Sequence, residues 1–299
     1  MPKVVLECTD LWKKIGHNVI VNDFSLKLYE GDILGFIGAN GAGKTTTIKL
    51  LLGLQTLNGG IVKINNYDLK KDFINAISNV GAIVENPDLY MYMTGYENLR
   101  IPAIIYGVSN ERINEVVKLV GLENKINEKV KKYSLGMRQR LGIAQAILHK
   151  PKVLILDEPM NGLDPIGIKE LKDLLLNLAQ KENIAIIISS HLLSELESIC
   201  NRVCFISKGK IIKDDKIENI KKITQNSNYI IELDNINLSK ILTNYQVIDA
   251  NHIKVRGNKE KITNILKTLL LNDITILEMK KENISLENAF LEIEKSHLK

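Results

Sequence analysis

Cysteine is scarce: the 299 residues hold three, Cys8, Cys200 and Cys204. Three thiols exclude a disulfide framework. Cys200 and Cys204 stand without a second pair, so they read as buried structural thiols rather than half of a metal site. Long apolar runs are missing as well. No uninterrupted stretch approaches the ~18–20 residues that span a bilayer. The start, Met1-Pro2-Lys3-Val4-Val5-Leu6-Glu7, meets charge too early for a signal peptide. These absences predict a cytoplasmic chain. A strong charge of either sign is also absent. The net charge of +5 is mild and gathers in no dense basic stripe, so nucleic acid is not expected as a partner. It reads as a Lys-rich solvated surface able to face an anionic membrane. No internal repeat or low-complexity tract stands out.

What is present is enough apolar material for a core, 45% of residues, in a length that suits one large domain or two ordinary ones. The beginning alternates. Val4–Cys8, Val19–Val21 and Phe24–Leu28 predict antiparallel strands with one wet face, and Gly59–Ile64 continues that sheet into a turn at Asn65-Asn66. From about Pro87 to Lys150 a period near 3.6 takes over and predicts helices. Val153–Leu156 and Ile184–Ile188 are near-continuous aliphatic runs, as in parallel strands covered on both faces. Arg202–Ile212 predicts a hairpin turning at Lys208-Gly209. Residues from Asp214 to Ser227 read as a Lys/Asn-rich connector. Beyond it, strands at Tyr229–Leu233, Gln246–Ile248 and Thr275–Glu278, with helices over Lys259–Leu271 and from Leu286 onward, predict a small α+β domain.

The most specific stretch is Gly38-Ala39-Asn40-Gly41-Ala42-Gly43-Lys44-Thr45, which fits the Walker A pattern. Glycines let the backbone wrap closely round a phosphate. The exposed N–H groups form an anion nest at a helix N-terminus, where the macrodipole also favours negative charge. The expected ATP-cradling set is Gly38, Asn40, Gly41, Ala42, Gly43, Lys44, Thr45 and Thr46. Lys44 should reach the β- and γ-phosphates, and the Thr45 hydroxyl should ligate Mg²⁺. The strand Ile33–Ile37 before the loop and the helix Thr46–Leu52 after it supply the context the motif requires. Downstream, Leu154-Ile155-Leu156-Asp157-Glu158-Pro159 is a hydrophobic strand ending in two carboxylates, a Walker B motif. Asp157 is expected to hold Mg²⁺ through water, and Glu158 to polarise the attacking water as general base.

With both motifs in order, the chain resembles the ATP-binding subunit of an ABC transporter over roughly residues 1–218. Tyr133-Ser134-Leu135-Gly136-Met137-Arg138-Gln139-Arg140 is similar to the family signature, with Ser134 a natural N-cap. Asn161-Gly162-Leu163-Asp164-Pro165 is similar to the D-loop. His191, after Ser189-Ser190, matches the switch histidine, and Glu85 falls where a Q-loop glutamine is usual. The resemblance implies an α/β fold, a P-loop NTPase. It has a RecA-like core, an antiparallel β subdomain and a helical subdomain at about 87–150, followed by the small α+β domain at 219–299. It also implies an ATPase driving export through a separate membrane permease, from a peripheral position on the inner face of the membrane. Two nucleotide-binding domains, as a homodimer or with a close paralogue, would sandwich ATP. Ser134 and Gly136 of one would complete the γ-phosphate site of the other, and Lys44, Mg²⁺ and His191 would stabilise the transferring phosphoryl group.

Three departures matter. Glu85 can only accept hydrogen bonds when ionised, where glutamine could also donate; it remains a candidate to orient water or Mg²⁺. A glutamate here, with Ser134–Arg140 and Met93-Thr94-Gly95-Tyr96-Glu97-Asn98-Leu99, is similar to the ATPases of bacitracin and lantibiotic immunity exporters. Ile15 stands where relatives stack an aromatic on adenine; Trp12 and His17 are nearby substitutes. The signature has Leu135 and Met137 in place of a glycine and the terminal glutamine. The alternatives to peptide-antibiotic efflux are a general exporter ATPase for other substrates and a non-transport ABC ATPase. The second would be expected to carry two cassettes or an inserted coiled coil, and neither occurs.

Overall fold

A computed structural model describes residues 3–190, 193–223, 227–234 and 245–281, with 286–287, 289–290 and 293 beyond them. The chain divides into two compact units, Met1–Lys216 and Ile217–Lys299.

The first unit holds two sheets. β1 (Val4–Ile15) and β2 (Asn18–Tyr29) pair antiparallel, and β4 (Gly59–Ile64) and β5 (Tyr67–Asp68) extend them in the order β2-β1-β4-β5. The sequence suggested short separate strands here. In fact β1 and β2 run on through register shifts near Leu11, with Asp10 and Asp23 left-handed at φ 52° and 53°. Bulges of this kind bend a strand without ending it. The second sheet has the order β10-β9-β3-β8-β7-β6, from β3 (Ile33–Ile37), β6 (Val80–Ile83), β7 (Val153–Asp157), β8 (Ala185–Ser190), β9 (Arg202–Ser207) and β10 (Lys210–Lys216). β3, β6, β7, β8 and β9 run parallel, and β10 turns back along β9. Every residue of β3, β7 and β8 is buried, as their continuous aliphatic runs require.

One core joins the two sheets to α1 (Lys44–Leu51), which starts where β3 ends. Leu6, Phe24, Leu28, Phe36, Ile48, Leu50, Ile155 and Ile187 share that core. Phe24 and Phe36 meet edge to face, centroids 5.8 Å apart, so β2 and β3 are locked in a favoured aromatic geometry. After α2 (Phe73–Ile77) come three helices, α3 (Gly95–Tyr106), α4 (Asn110–Leu119) and α5 (Leu135–Ile147). The Thr94–Asn98 segment is explained by α3. Thr94 and Glu97 form a reciprocal capping box, and the fully buried Asn98 amide bonds the Tyr90 and Thr94 carbonyls. α6 (Pro165–Lys181) starts on the Asp164 cap with Pro165 in its first turn. α7 (Leu193–Glu197) follows β8.

The second unit has a four-stranded sheet, β12-β13-β11-β14, built from β11 (Ser227–Leu233), β12 (Gln246–Val247), β13 (His252–Gly257) and β14 (Ile276–Lys281). Ile231, Leu233, Ile253 and Val255 pack with Ile262 and Leu269 of α9 (Lys259–Leu271). One expectation is corrected. The Asp214–Ser227 connector contains the end of β10 and a helix, α8 (Ile217–Ile223). Ile217 and Ile220, one turn apart, are both buried; lysines and asparagines around them masked an apolar stripe only two residues deep. The helix expected from Leu286 onward falls largely outside the described residues. Among the described residues no helix is long and apolar enough to cross a membrane.

Candidate functional site

The glycine loop leaves the C-terminal end of β3 and enters α1 through Gly43, whose φ of 104° is open to glycine far more than to any other residue. Gly41 is also left-handed, at φ 81°. No side chain caps the first turn of α1 and no acidic residue lies in it, so its N–H groups and dipole are left for an anion. The Lys44 side chain is buried and folds back over the loop, donating to Gly38 O at 2.6 Å and Ala39 O at 3.4 Å. An ammonium held by its own loop above an uncapped helix end is a phosphate receptor in form. Thr47 spends its hydroxyl on Gly43 O, 2.9 Å away. The Thr45 and Thr46 hydroxyls make no hydrogen bond to any described residue.

The strand register brings the carboxylates to the same edge. Ile37 lies opposite Ser190, and Asp157 opposite Ser189. The loop and Asp157 therefore sit two strand spacings apart, about 10 Å, at the carboxyl ends of parallel strands, where ligands of open α/β sheets bind. Asp157 is 2% exposed and its Oδ1 accepts the Ser189 hydroxyl at 2.5 Å. Glu158 adopts φ 51°, and its N–H reaches Ser189 Oγ at 2.9 Å and Ser189 O at 3.2 Å. One serine thus orients both acidic positions. Sequence reasoning treated Ser189 only as a spacer; the available signal was a hydroxyl ending an otherwise aliphatic buried strand. His191 lies outside the described residues.

The remaining candidates lie elsewhere. Ser134 caps α5, accepting from Met137 N–H at 3.2 Å. The atoms nearest a Cβ on Gly136 would belong to Gly167, Leu163 and Ser134, 3.8–4.0 Å away, so the signature abuts the start of α6. Glu85, left-handed at φ 68°, extends to Lys49 on α1, 3.1 Å away. Its carboxylate is paired with an ammonium one turn beyond Thr45. Trp12 and Ile15 are exposed on β1, and Trp12 lies opposite Gly59 on β4.

A Mg²⁺ ion would find a hard donor set in the Thr45 hydroxyl and the oriented, buried Asp157 carboxylate. That is the one or two protein ligands beside substrate phosphates that Mg²⁺ usually takes. No cluster of three or more His, Cys, Asp or Glu occurs among the described residues.

Residues 21–161 match the family model described as ABC transporter. The chain is 45% identical over 296 residues to an uncharacterised ABC transporter ATP-binding protein, YhcH, of Bacillus subtilis, covering 97% of this chain and 96% of that one. This chain belongs to the ABC transporter ATP-binding family. It is also 39% identical over 298 residues to the bacitracin transport ATP-binding protein BcrA of Bacillus licheniformis, with 97% of each chain covered. A solved ATP-binding subunit of an ABC transporter superposes with a TM-score of 0.66 at 30% identity, over 73% of this chain and 92% of that one. The ABC subunit therefore has the P-loop NTPase fold, binds ATP and is an ATPase. ABC subunits of this kind pair with membrane permease components and dimerise.

The ABC cassette also carries a groove of about 410 Å³ beside β6, α3 and α5, lined by Pro87, Tyr90, Ile101, Tyr106, Gln145 and His149 among others. Tyr106 stacks on His149 with centroids 4.4 Å apart, and His149 Nε2 lies 3.1 Å from Val80 O. Burial, reinforced by the nearby Arg112 charge and opposed by the Val80 carbonyl, holds the imidazole pKa below its usual 6.5. A base depressed in the folded state protonates first in the unfolded chain. Stability should therefore be fully present above pH 6.5 and fall as pH drops toward the folded pKa. Urea midpoints at pH 7.5 and 5.5 should separate less in His149→Phe than in the wild type.

Proposed function

We propose that this ATPase powers efflux of peptide antibiotics of the bacitracin type through a separate permease, peripheral to the inner membrane face. The observation that carries the reading is the end-to-end similarity to a bacitracin transport ATP-binding protein, which includes the second unit. Glu85 at the Q-loop position supports the same subgroup.

In this reading ATP is the substrate, its phosphates held by the N–H groups of Gly38–Thr46 and by Lys44. Mg²⁺, held by Thr45 and Asp157 and approached by Glu85, would neutralise phosphate charge when bound. Glu158 takes a proton from the attacking water as the water oxygen bonds the γ-phosphorus and the bond to the β-γ bridging oxygen breaks. Ser189 keeps Asp157 and the Glu158 backbone in register, and His191 stabilises the transferring phosphoryl group. The site is completed in trans by Ser134 and Gly136 of a second copy or close paralogue. The surroundings of Gly136 support this, because a Cβ there would meet the described residues only at ordinary contact distance, 3.8–4.0 Å, and none of them demands a glycine. The groove near Tyr90 and Tyr106, with Tyr92 80% exposed beside it, is the surface offered to a cytoplasmic helix of the permease.

Deletion of the subunit from its host, followed by survival tests, decides the substrate. Hypersensitivity to bacitracin or lantibiotics, reversed by the wild-type chain and not by Glu158→Gln, is expected. Unchanged sensitivity to all of them would remove the immunity reading and leave the ATPase intact.

A further inference from the structure

We infer that Gly209, at the tip of the β9–β10 hairpin, is a positioning residue of the phosphate site, fixing the Ala42–Gly43 peptide from behind. The inference rests on the reading of residues 38–45 as the ATP phosphate loop.

Lys208 and Gly209 form a two-residue turn with φ 48° and 76°, the left-handed pair that suits a tight hairpin. Such a tip ordinarily ends in water. Here Lys208 and Lys210 are exposed, but Gly209 between them is buried. Its N–H donates to the Ala42 carbonyl at 2.9 Å, and its own carbonyl accepts from the Asn22 N–H at 2.9 Å. The tip is stitched to the glycine loop on one side and to β2 on the other.

The junction leaves no room for a side chain. A Cβ on Gly209 would overlap the Ile20 carbonyl oxygen and lie 2.8 Å from its carbon and 3.0 Å from Val21 Cα. These are backbone atoms, so no rotamer change relieves the overlap. Gly43 meets the same oxygen: a Cβ there would lie 2.9 Å from Ile20 O and 3.6 Å from Gly209 Cα. The same hairpin also backs the other end of the loop, where a Cβ on Gly38 would come within 2.6 Å of Ile206 O.

This has a chemical consequence. In a trans peptide the C=O and the following N–H point in opposite directions. Holding Ala42 O against the hairpin therefore aims the Gly43 N–H away from it, into the loop's concavity. Phosphate nests are made of such N–H groups, and their strength depends on several pointing at one place. Gly209 contributes to ATP binding without touching ATP.

The test uses the purified full-length chain and ADP. Gly209→Ala should retain a native circular dichroism spectrum and bind ADP roughly tenfold more weakly, the effect of misaiming one hydrogen bond to a charged group. Lys208→Gly, which alters the tip but not the junction, should bind like the wild type. A glycine needed only for the turn would lower the unfolding temperature and leave affinity well below that temperature unchanged. Gly209→Ala binding ADP within about twofold of wild type overturns the inference. Failure of the wild type itself to bind ADP overturns the phosphate-loop reading and the inference with it. Amide exchange on the wild type gives a second measurement that stands even if Gly209→Ala does not fold. ADP should slow exchange of the Gly209 N–H, because it stiffens the carbonyl that N–H bonds; no change there also overturns the inference.

Discussion

Glu158→Gln is expected to cut steady-state ATP hydrolysis by at least about a hundredfold, the scale of a lost general base, while ATP binding survives. The expectation follows from where the residue sits. Its backbone is pinned twice to Ser189 and is left-handed at φ 51°, so a change at the side-chain terminus leaves the peptide where it is. Glutamine keeps the volume and loses the basicity. The phosphate loop lies on a different strand end and is untouched. ATP should therefore still bind, and the ATP-bound dimer should persist because its ligand is not consumed. Single-turnover release of inorganic phosphate, with nucleotide binding measured in parallel, checks both halves. Normal turnover in the variant would remove Glu158 as the base. Loss of binding together with turnover would mean that the substitution disturbed the strand end rather than the chemistry.

The different legibility of Glu158 and Ser189 in the sequence has a physical origin. Glu158 could be assigned because its neighbours constrain it locally: an aliphatic run must be a buried strand, and carboxylates at its end must face the ligand edge. The glycine loop was legible for the same reason, since each glycine answers a local backbone demand. Ser189 belongs to a partner strand 32 residues away, and only the register Asp157 opposite Ser189 gives it a role. Gly209 is the extreme case. The sequence shows a turn glycine, whereas its contacts are with Ile20, Asn22 and Ala42 across the fold. The Lys49–Glu85 pair is invisible from one dimension in the same way. The full length of β1 and β2 is not legible from alternation, because the register shifts near Leu11 and the left-handed Asp10 and Asp23 break the period of two. α8 was missed because two buried isoleucines make too small a periodic signal.

The fold was recoverable where one segment sets its own environment, and the site only where its parts lie within one segment. A site divided between two chains is the limit of that rule, and it gives the second large effect. Lys44→Ala and Ser134→Glu are each expected to abolish ATPase activity alone. The first removes the ammonium held over the loop. The second places a carboxylate at a helix N-terminus meant for phosphate, and like charges repel there. Mixed in equal amounts they should recover activity. In a two-fold symmetric mixed dimer, one composite site carries both lesions, while the other joins the intact loop of the Ser134→Glu chain to the intact signature of the Lys44→Ala chain. Random pairing puts half the chains in mixed dimers with one good site of two, so roughly a quarter of wild-type sites return if the dimer is symmetric. If Ser134 served the loop of its own chain, each chain would carry one fatal lesion in its only site, and mixing would restore nothing. The geometry favours the first outcome: the three atoms nearest a Cβ on Gly136 belong to Gly167, Leu163 and Ser134 itself, and none to the loop that holds Lys44. ATPase activity of the two variants, separately and after mixing and re-equilibration with the permease, decides between them.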